Sequence, residues 1–291
     1  MPLLLRRRAL ALVRRLTRID EIDDLLASHA DTHGAAFLDT IFAHLDFSVR
    51  VSSCDNARIP AKGRLIIVAN HPLGAMDALA LLRVVLDVRS DVHVVVNQLL
   101  MQVESLTDHF LPFDMFAARP RKKDVAAMRR ALEREAALLI FPSGDVSRMT
   151  RAGLRDRRWF GGAAHLAHKY DAPVLPVFIG GRNSWLFYPI SFLSRTIGVL
   201  LLPRQIFRQR GKTLRLRIGD PIPARAFSES AMSRSVQIER LRQHVYELGT
   251  LARRESRLRP GHRAPVSYCV SEPALGASAR SRARYRRETN A

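Results

Sequence analysis

The stretch Ile67-Val68-Ala69-Asn70-His71-Pro72-Leu73-Gly74-Ala75-Met76-Asp77 decides how the chain folds and where its chemistry lies. The apolar run Leu65–Ala69 predicts a buried strand. Pro72 ends this strand, because proline has no N–H to donate and restricts the residue before it. His71 therefore lies where the strand gives way to a turn, and Asp77 stands six residues later at the start of an apolar helical stretch.

Two interpretations of His71 and Asp77 are open at this point. A His and an Asp that meet at the carboxyl end of a strand form a general base and its orienting partner, which activate a hydroxyl or amine for attack on an acyl group. A His at a strand end can also bond a backbone group, and an Asp before a helix is commonly an N-cap. On this segment alone the structural interpretation is the commoner one.

A second segment strengthens the catalytic interpretation. The strand predicted for Ala137–Ile140 runs into the turn Phe141-Pro142-Ser143-Gly144-Asp145. Gly144 allows tight backbone conformations and close approach of a ligand. Arg148 follows this turn, and the planar fork of its guanidinium suits a phosphate or carboxylate. The sequence therefore predicts an anionic ligand beside the turn that carries His71. The arginines farther along are interpreted as surface charges, namely Arg151, Arg155, Arg157 and Arg158.

Three segments in order now resemble the motifs of the glycerolipid acyltransferases, the lysophosphatidate acyltransferase-like enzymes. They are His71 to Asp77, Phe141 to Gly144, and Val174-Leu175-Pro176-Val177. The bacterial branch with an Asn-His-Pro-Leu-Gly segment is the most similar, and it includes lyso-ornithine lipid acyltransferases and hemolysin-like acyltransferases. The resemblance covers residues 45 to 225, which is most of the chain.

The resemblance implies an α/β fold, with a single acyltransferase domain whose mixed central sheet is flanked by helices. It implies His71 and Asp77 as catalytic residues, with no cofactor and no metal. The acyl donor would be a thioester of acyl carrier protein or coenzyme A, and the acceptor a lyso-lipid. Backbone N–H groups around Gly144 would bind the oxyanion or a phosphate. Substrate contacts are expected from Asn70, Gly74, Phe141, Pro142, Ser143, Gly144, Asp145 and Arg148.

Three departures from the family pattern bear on the acceptor more than on the reaction. The family separates its His and Asp by four residues, whereas five lie between His71 and Asp77, and Gly74 can absorb the extra one in the turn. Ser143 stands where the family has Glu. Asp145-Val146 replaces the Thr-Arg that follows, so that Asp145 or Arg148 would take over its role.

The N-terminus has the pattern of a basic amphipathic helix. At about 100° per residue one narrow apolar stripe forms, and arginines cover its flanks, which predicts an anchor at a membrane interface. An ordinary surface helix docked on the core is the alternative. The stripe consists of Leu5, Ala9, Leu12, Leu16 and Ile19. The flanking cations are Arg6, Arg7, Arg8, Arg14, Arg15 and Arg18.

Composition indicates an anionic partner. The 291 residues carry a formal net charge of +20 at neutral pH, which favours an anionic lipid surface or nucleic acid. The two cysteines have neither metal-like spacing nor a disulfide pattern, which favours a reducing compartment. No apolar run is long enough to span a bilayer. We therefore expect a peripheral protein on the cytoplasmic face of the inner membrane.

The predicted organisation has three parts. These are a helical membrane-interface region at 1–47, an acyltransferase α/β domain at 48–257 and a basic disordered tail at 258–291. Strands are predicted at 64–70, 92–97, 137–142, 173–179 and 213–219. Helices are predicted at 75–87, 124–136 and 236–253.

Three functions follow in order of preference. The first is a membrane-associated acyltransferase that uses His71 and Asp77. The second is a catalytically inactive relative that only binds lipid. The third is a nucleic-acid-binding protein, which is disfavoured because the basic residues are not interleaved with aromatic ones and no recognition motif is present. No nucleic acid is therefore expected as a partner.

Overall fold

The computed structural model describes residues 11, 13–114, 121–189, 195–228, 232–258 and 265–268. The helices are α1 Ile19–Ala27, α2 Gly34–His44, α3 Ser53–Asn56, α4 Ala75–Leu86, α5 Lys122–Glu133, α6 Gly162–Tyr170, α7 Arg195–Phe207, α8 Arg225–Ser228 and α9 Arg234–Leu258. The strands are β1 Ser48–Ser52, β2 Leu65–Ala69, β3 Val92–Asn97, β4 Phe110–Phe113, β5 Ala137–Ile140, β6 Arg148–Thr150, β7 Gly153–Arg155, β8 Val174–Gly180, β9 Thr213–Ile218 and β10 Pro265–Tyr268. Two 3₁₀ segments, Gln98–Gln102 and Glu104–His109, join β3 to β4.

Eight strands form one mixed sheet in the order β10-β1-β9-β8-β2-β5-β3-β4. The strands from β8 to β4 in this order are parallel, so their carboxyl ends meet at one edge of the sheet. β9 is antiparallel to β8, β1 is parallel to β9, and β10 is antiparallel to β1. β6 and β7 form a separate hairpin. The expected α/β architecture with a mixed central sheet is confirmed.

β2 lies inside the sheet and is buried on both faces. Leu65, Ile67 and Ala69 belong to the hydrophobic cluster that also contains buried residues of α1, α2 and α4. Ile66 and Val68 belong to the cluster on the other face, with residues of α5, α6 and α9. A strand covered on both sides has no polar alternation, which is why its sequence is a continuous apolar run. The domain is therefore a three-layer α/β/α structure.

The five predicted strands are all present, each within two residues of its expected ends. β1 and β4 were not predicted, because both are short and lack a long apolar run. β4 contains Pro112, and it is the outermost strand of its side of the sheet. Proline is tolerated at such an edge because its missing N–H leaves no gap in the ladder.

The tail expected to be disordered at 258–291 requires a correction at Pro265–Tyr268. These residues form β10, which pairs with β1 in the register Val49 to Tyr268 and Val51 to Val266. The pairing covers an otherwise open edge of β1, and a long-range contact of this kind leaves little trace in four residues of sequence. The arginine cluster expected at 280–287 lies outside the described residues, as do 259–264.

The expected N-terminal helix is interrupted at Arg18. Residues 13–17 are helical, but Arg18 has a left-handed backbone with φ 57° and ψ 33°, and α1 begins only at Ile19. Tertiary contacts hold Arg18 there, since its guanidinium pairs with Glu21 and lies 4.3 Å from the centre of the Phe207 ring. The predicted stripe is therefore not continuous up to Ile19.

Leu16 in this segment is 46 % exposed, and Val13 beside it is also exposed. Ile19, the last member of the predicted stripe, is also exposed, whereas Leu5, Ala9 and Leu12 lie outside the described residues. Within the described part of the chain, no helix combines the length and hydrophobicity needed to cross a membrane.

Candidate active site

The candidate site lies at the carboxyl ends of three neighbouring strands. β2 is flanked by β5 on one side and β8 on the other. The segments that leave these strands carry His71, the turn at 141–148, and Asn183. Parallel strands therefore bring together three segments that are far apart in sequence, on a rigid scaffold of the kind that positions functional loops.

His71 and Asp77 are in contact. Nδ1 of His71 lies 3.1 Å from Oδ2 of Asp77, and the side chain of Asp77 is fully buried while that of His71 is 14 % exposed. The contact forms because α4 begins at Ala75 and places Asp77 in its first turn, facing back toward the end of β2. The pair is not aligned as a linear hydrogen bond. Nε2 is the ring nitrogen left for a substrate.

Asp77 also holds the turn that precedes its helix. Its Oδ2 accepts the backbone N–H groups of Leu73 at 2.7 Å and Gly74 at 3.0 Å. The carboxylate of Asp77 therefore caps the helix and contacts His71 at the same time. The structural and the catalytic interpretation of Asp77 are compatible. Burial raises the pKa of Asp77, while the His71 ring and the two N–H groups act in the opposite direction. Oδ1 is buried without a hydrogen-bond partner.

Phe141 covers one face of the His71 ring. The two rings are stacked with centroids 4.1 Å apart and an interplanar angle of 28°. Phe141 is the first residue after β5, so the neighbouring strand sets its position. The ring is thus held at its edge by Asp77 and on its face by Phe141, which leaves the imidazole little freedom to rotate.

Asp156 fixes the main chain of His71, and it was not among the residues singled out from the sequence. Its Oδ1 accepts the N–H of His71 at 3.2 Å, and the hydroxyl of Ser147 donates to the same oxygen. Its Oδ2 accepts the indole N–H of Trp159 at 2.8 Å. Burial raises the pKa of Asp156, and these donors oppose the shift.

The other side of the His71 peptide is also held, since its carbonyl accepts the N–H of Ser147 at 2.8 Å. We name the group of Asp156, Ser147 and Trp159 the backbone clamp. The sequence offers one indication of this clamp: Asp156 is the sole acidic residue within the basic run 148–158. That signal is weak, because an isolated acid among arginines is usually a surface ion pair.

The turn after β5 satisfies its own polar groups. The hydroxyl of Ser143 donates to the carbonyl of Asp145 at 2.7 Å, and the N–H of Gly144 donates to the carbonyl of Phe141 at 3.1 Å. The N–H of Val146 donates to the carboxylate of Asp145. The expectation that N–H groups around Gly144 bind an oxyanion is therefore not met by Gly144 or Val146 in this conformation. The carbonyl of Pro142 accepts the N–H of Phe160.

Arg148 retains unused donors. Its Nη2 lies 3.0 Å from Oδ2 of Asp145, whereas Nε and Nη1 are buried and have no hydrogen-bond partner. A buried N–H without a partner is unfavourable by roughly 1–3 kcal/mol, and more when the group is charged. The guanidinium therefore has donors for a further acceptor, and the anionic ligand expected from the sequence stays a prediction.

Asn70 has a different position from the one expected of a substrate contact. Its Nδ2 donates to the carbonyl of Ile179 at 2.9 Å, and its Oδ1 accepts the N–H of Ile179 at 2.7 Å. The side chain thus continues the pairing of β2 with β8 after the main chain has turned away. Asn183, which follows β8, donates to the carbonyl of Pro72 at 3.1 Å and so belongs to the same site.

Gly74 likewise has a packing role. Its φ is 85°, and a Cβ there would lie 3.1 Å from Leu202 of α7. The structure thus places α7 directly over the turn between His71 and Asp77. No group of three or more His, Cys, Asp or Glu residues suited to hold a metal ion occurs among the described residues.

Large apolar side chains are exposed on the loops around the site. Phe160 donates its own N–H to the carbonyl of Pro142, Met149 follows Arg148, and Trp185 is 76 % exposed two residues after Asn183. We name this set, which also includes Leu186, the apolar rim. Exposed Trp and Phe around one mouth are typical of a surface that meets a lipid or a protein partner.

Comparison with known proteins gives one family and two relatives. The family model described as Acyltransferase matches residues 3–252. A lyso-glycine lipid O-acyltransferase of Bacteroides thetaiotaomicron is 31% identical over 227 residues, covering 75% of this chain and 82% of that protein. A protein of the same name from Phocaeicola vulgatus is 27% identical over 226 residues, covering 75% and 80%.

Among solved structures, the 1-acyl-sn-glycerophosphate acyltransferase PlsC of Thermotoga maritima matches with a TM-score of 0.44 and 20% sequence identity. The match covers 73% of this chain and 75% of that one.

Proposed function

Because the chain belongs to the acyltransferase family, we propose that it transfers a fatty acyl chain from a thioester to a hydroxyl of a lyso-lipid at a membrane surface. The donor is an acyl thioester of acyl carrier protein or coenzyme A. The observation that carries the proposal is the contact between His71 and Asp77 at the carboxyl end of β2.

In the proposed reaction, Nε2 of His71 takes the proton from the acceptor hydroxyl. The oxygen attacks the carbonyl carbon of the thioester and forms a tetrahedral intermediate. The C–S bond then breaks, the ester forms, and the thiolate leaves with the proton that His71 returns. Asp77 holds the ring so that Nδ1 carries its proton inward, and it stabilises the imidazolium that forms. The acceptor itself is the nucleophile, so the step needs no Ser or Cys of the enzyme.

Arg148 is the proposed contact for an anionic group of the acceptor or donor. Its two buried N–H groups without partners support this role. An anion placed there would convert them into charge-assisted hydrogen bonds, which are about twice as strong as neutral ones. Because the N–H groups of Gly144 and Val146 are used within their own turn, the guanidinium is also the candidate donor for the developing oxyanion.

We further propose that the acceptor is a lyso-lipid that carries an amino acid. Two relatives are named lyso-glycine lipid O-acyltransferases, and the Asn-His-Pro-Leu-Gly segment resembles that of the lyso-ornithine lipid enzymes. Ser143, where the glycerolipid enzymes have Glu, is buried, and its hydroxyl donates to the carbonyl of Asp145 within the turn. An altered head group is consistent with that replacement.

Membrane association is part of the proposal, with the enzyme on the cytoplasmic face of the inner membrane. The exposed Leu16 and the apolar rim supply side chains for insertion at the interface. The strongly basic charge supplies attraction to anionic lipid. A site that opens between such side chains receives a lyso-lipid directly from the bilayer.

The test is a transfer assay with purified protein. Acyl carrier protein and coenzyme A thioesters are each offered with lyso-glycine lipid, lyso-ornithine lipid and lysophosphatidate. Diacylated product is measured by mass spectrometry, and released thiol by a colorimetric reagent. We expect transfer to an amino-acid lyso-lipid, and none with folded His71→Ala protein. His168→Ala, which removes an exposed histidine of α6, is the matched control.

Substantial transfer by His71→Ala would overturn the mechanism. Transfer to lysophosphatidate alone would overturn the proposed acceptor while leaving the reaction type in place.

A further inference from the structure

A cationic groove lies between the N-terminal helical segment and the end of α7. It encloses about 600 Å³ and is lined by Arg15, Leu16, Arg18, Arg204 and Arg208. We propose that this arginine groove binds the phosphate of an anionic membrane-lipid head group. The inference rests on the membrane association proposed above and adds to it a specific site and a preferred class of lipid.

The charge of the groove is largely uncompensated. Arg18 pairs with Glu21. Arg15, Arg204 and Arg208 have no acidic partner anywhere in the described ranges of the chain. Several guanidinium groups gathered around one groove repel each other unless an anion lies between them. Phosphate suits such a groove because the planar guanidinium binds it through two parallel hydrogen bonds.

The pKa of Lys212, which lies near Arg208, is consistent with a positive potential around the groove. This pKa is lowered, first by burial and then by the charges of Arg208 and Arg182. A cation whose charged form is disfavoured by its neighbours lies in a region of positive potential. This supports the geometric argument, which does not depend on it.

Apolar side chains beside the arginines identify the source of the phosphate. Leu16 lines the groove itself, and Val13 lies one turn before it on the same helical segment, where both are exposed. Leu200 is exposed on α7 four residues before Arg204, and so lies on the same face of that helix. A free phosphate ion gains nothing from these side chains, whereas a lipid presents a phosphate and acyl chains together.

The groove is separate from the reaction site. Leu202 of α7 packs on Gly74 in the turn between His71 and Asp77. Leu200 and Arg204 are each two residues from Leu202, which is about 200° around a helix. They therefore lie on the side of α7 that faces away from His71. The groove contacts the bilayer while the opposite side of the same helix covers the chemistry.

The test compares two triple variants that remove the same charge. The groove variant is Arg15→Gln/Arg204→Gln/Arg208→Gln. The control is Arg130→Gln/Arg134→Gln/Arg240→Gln, at exposed positions on or next to α5 and α9, which pack on the other face of the sheet. Partition is measured by sedimentation with vesicles of phosphatidylcholine, with and without phosphatidylglycerol.

We expect phosphatidylglycerol to strengthen binding of the parent protein and of the control. The groove variant should lose affinity for these vesicles on the order of 100-fold relative to the parent. Equal losses in both triple variants would overturn the proposal, because net charge alone would then explain binding. A single reversal at an exposed position, Arg208→Glu, repeats the test with a milder change and should reproduce the direction.

Calorimetry separates the two sources of phosphate. Short-chain phosphatidylglycerol below its micelle concentration should bind the parent and not the groove variant. Inorganic phosphate binding as tightly as the lipid would overturn the assignment to a head group.

Acyl transfer to a detergent-dispersed acceptor is measured for every variant. Activity that persists in the groove variant shows that it folds and that the groove is not part of the chemistry. If the parent protein shows no acyl transfer, the proposed reaction is overturned. The vesicle measurements then still decide whether the arginine groove binds anionic lipid.

Discussion

The main-chain N–H of His71 donates to the carboxylate of Asp156 at 3.2 Å, although 85 positions separate the two residues in the chain. Asp156 is buried, and it also accepts from Ser147 and Trp159. The position of the imidazole thus depends on a carboxylate that does not touch it. Because reaction geometry tolerates little displacement, the backbone clamp should matter for turnover more than for substrate binding.

Asp156→Asn should lower kcat by roughly 10–100-fold with a smaller change in KM. The amide oxygen can accept from His71 and Ser147, which share one carboxylate oxygen, but the amide NH₂ then faces the indole N–H of Trp159 as a second donor and disturbs the backbone clamp. Steady-state kinetics on the folded variant measure the effects on kcat and KM separately. Trp159→Phe is the matched control, because it removes one donor and leaves the bond to His71. An unchanged kcat in Asp156→Asn would show that Asp77 and Phe141 alone position the ring.

Asp77→Asn should lower kcat by about 10³–10⁴-fold while the protein stays folded, by analogy with the orienting Asp of other triads. The change is nearly isosteric, and an Asn oxygen can still accept from the N–H groups of Leu73 and Gly74. What is lost is the negative charge beside the imidazolium. Single-turnover kinetics and circular dichroism measure the two effects, and a loss below about 10-fold would contradict the proposed role.

The stability of Asp77→Asn relative to the parent should depend on pH. Burial raises the pKa of Asp77 in the folded protein above its ordinary value of 3.8. At a pH between the ordinary pKa and the raised pKa, Asp77 keeps its proton in the folded state and has lost it in the unfolded state. The contribution of Asp77 to the free energy of unfolding is therefore complete below the ordinary value and is lost as the pH rises through the raised pKa.

Asn does not titrate, so the variant should gain stability relative to the parent as the pH rises through this window. Urea denaturation at a series of pH values measures the difference. A difference that instead falls with rising pH would mean that contact with His71 outweighs burial.

Arg148→Ala should raise KM for the anionic substrate by about 10–100-fold, the value of one or two charge-assisted hydrogen bonds. The effect should appear mainly in KM if the guanidinium grips the anion in both ground and transition states. Arg151→Ala, three residues along on the same hairpin and exposed, is the matched control. Unchanged kinetics with every donor and acceptor would make Arg148 a structural partner of Asp145.

Trp185 should report membrane contact directly. The chain has two tryptophans, of which Trp185 is 76 % exposed and Trp159 is 1 % exposed. Vesicles should shift the tryptophan emission to shorter wavelength in the parent, and Trp185→Phe should abolish the shift because Trp159 is already buried. Trp185→Ser/Leu186→Ser should weaken vesicle binding by roughly 10-fold or more, from the apolar area removed. An unshifted parent spectrum in the presence of bound vesicles would show that the apolar rim faces water.

The sequence was sufficient for the parts of the fold that are locally encoded. The central strands are continuous apolar runs because they are buried on both faces, and Pro72 marks where β2 stops. β1 and β10 could not be predicted, since each is short and is stabilised by pairing with distant residues such as Val51 with Val266. The break at Arg18 was missed for the same reason, because contacts with Phe207 hold it.

The candidate site shows the same division. His71 and Phe141 come just after strands, and Asp77 lies in a first helical turn, so spacing places them together. Arg148 begins β6, just past the turn that follows β5. Asp156 could not be found this way, because its role depends on how the hairpin of β6 and β7 brings it back to the main chain of His71. Asn70 was assigned to substrate for its position beside His71, yet its amide pairs with Ile179, a contact visible only once β8 is known to lie beside β2.

Gly74 has φ 85°, and a Cβ at that position would lie only 3.1 Å from a methyl group of Leu202. The conformation of the turn and the size of the side chain at position 202 are therefore coupled by this contact. In a homologue whose turn is shorter, a residue larger than glycine at the position of Gly74 needs a smaller residue at the position of Leu202. Aligned sequences from this branch should consequently show paired changes at these two columns, and grafting the turn alone between branches should fail to reproduce either parent.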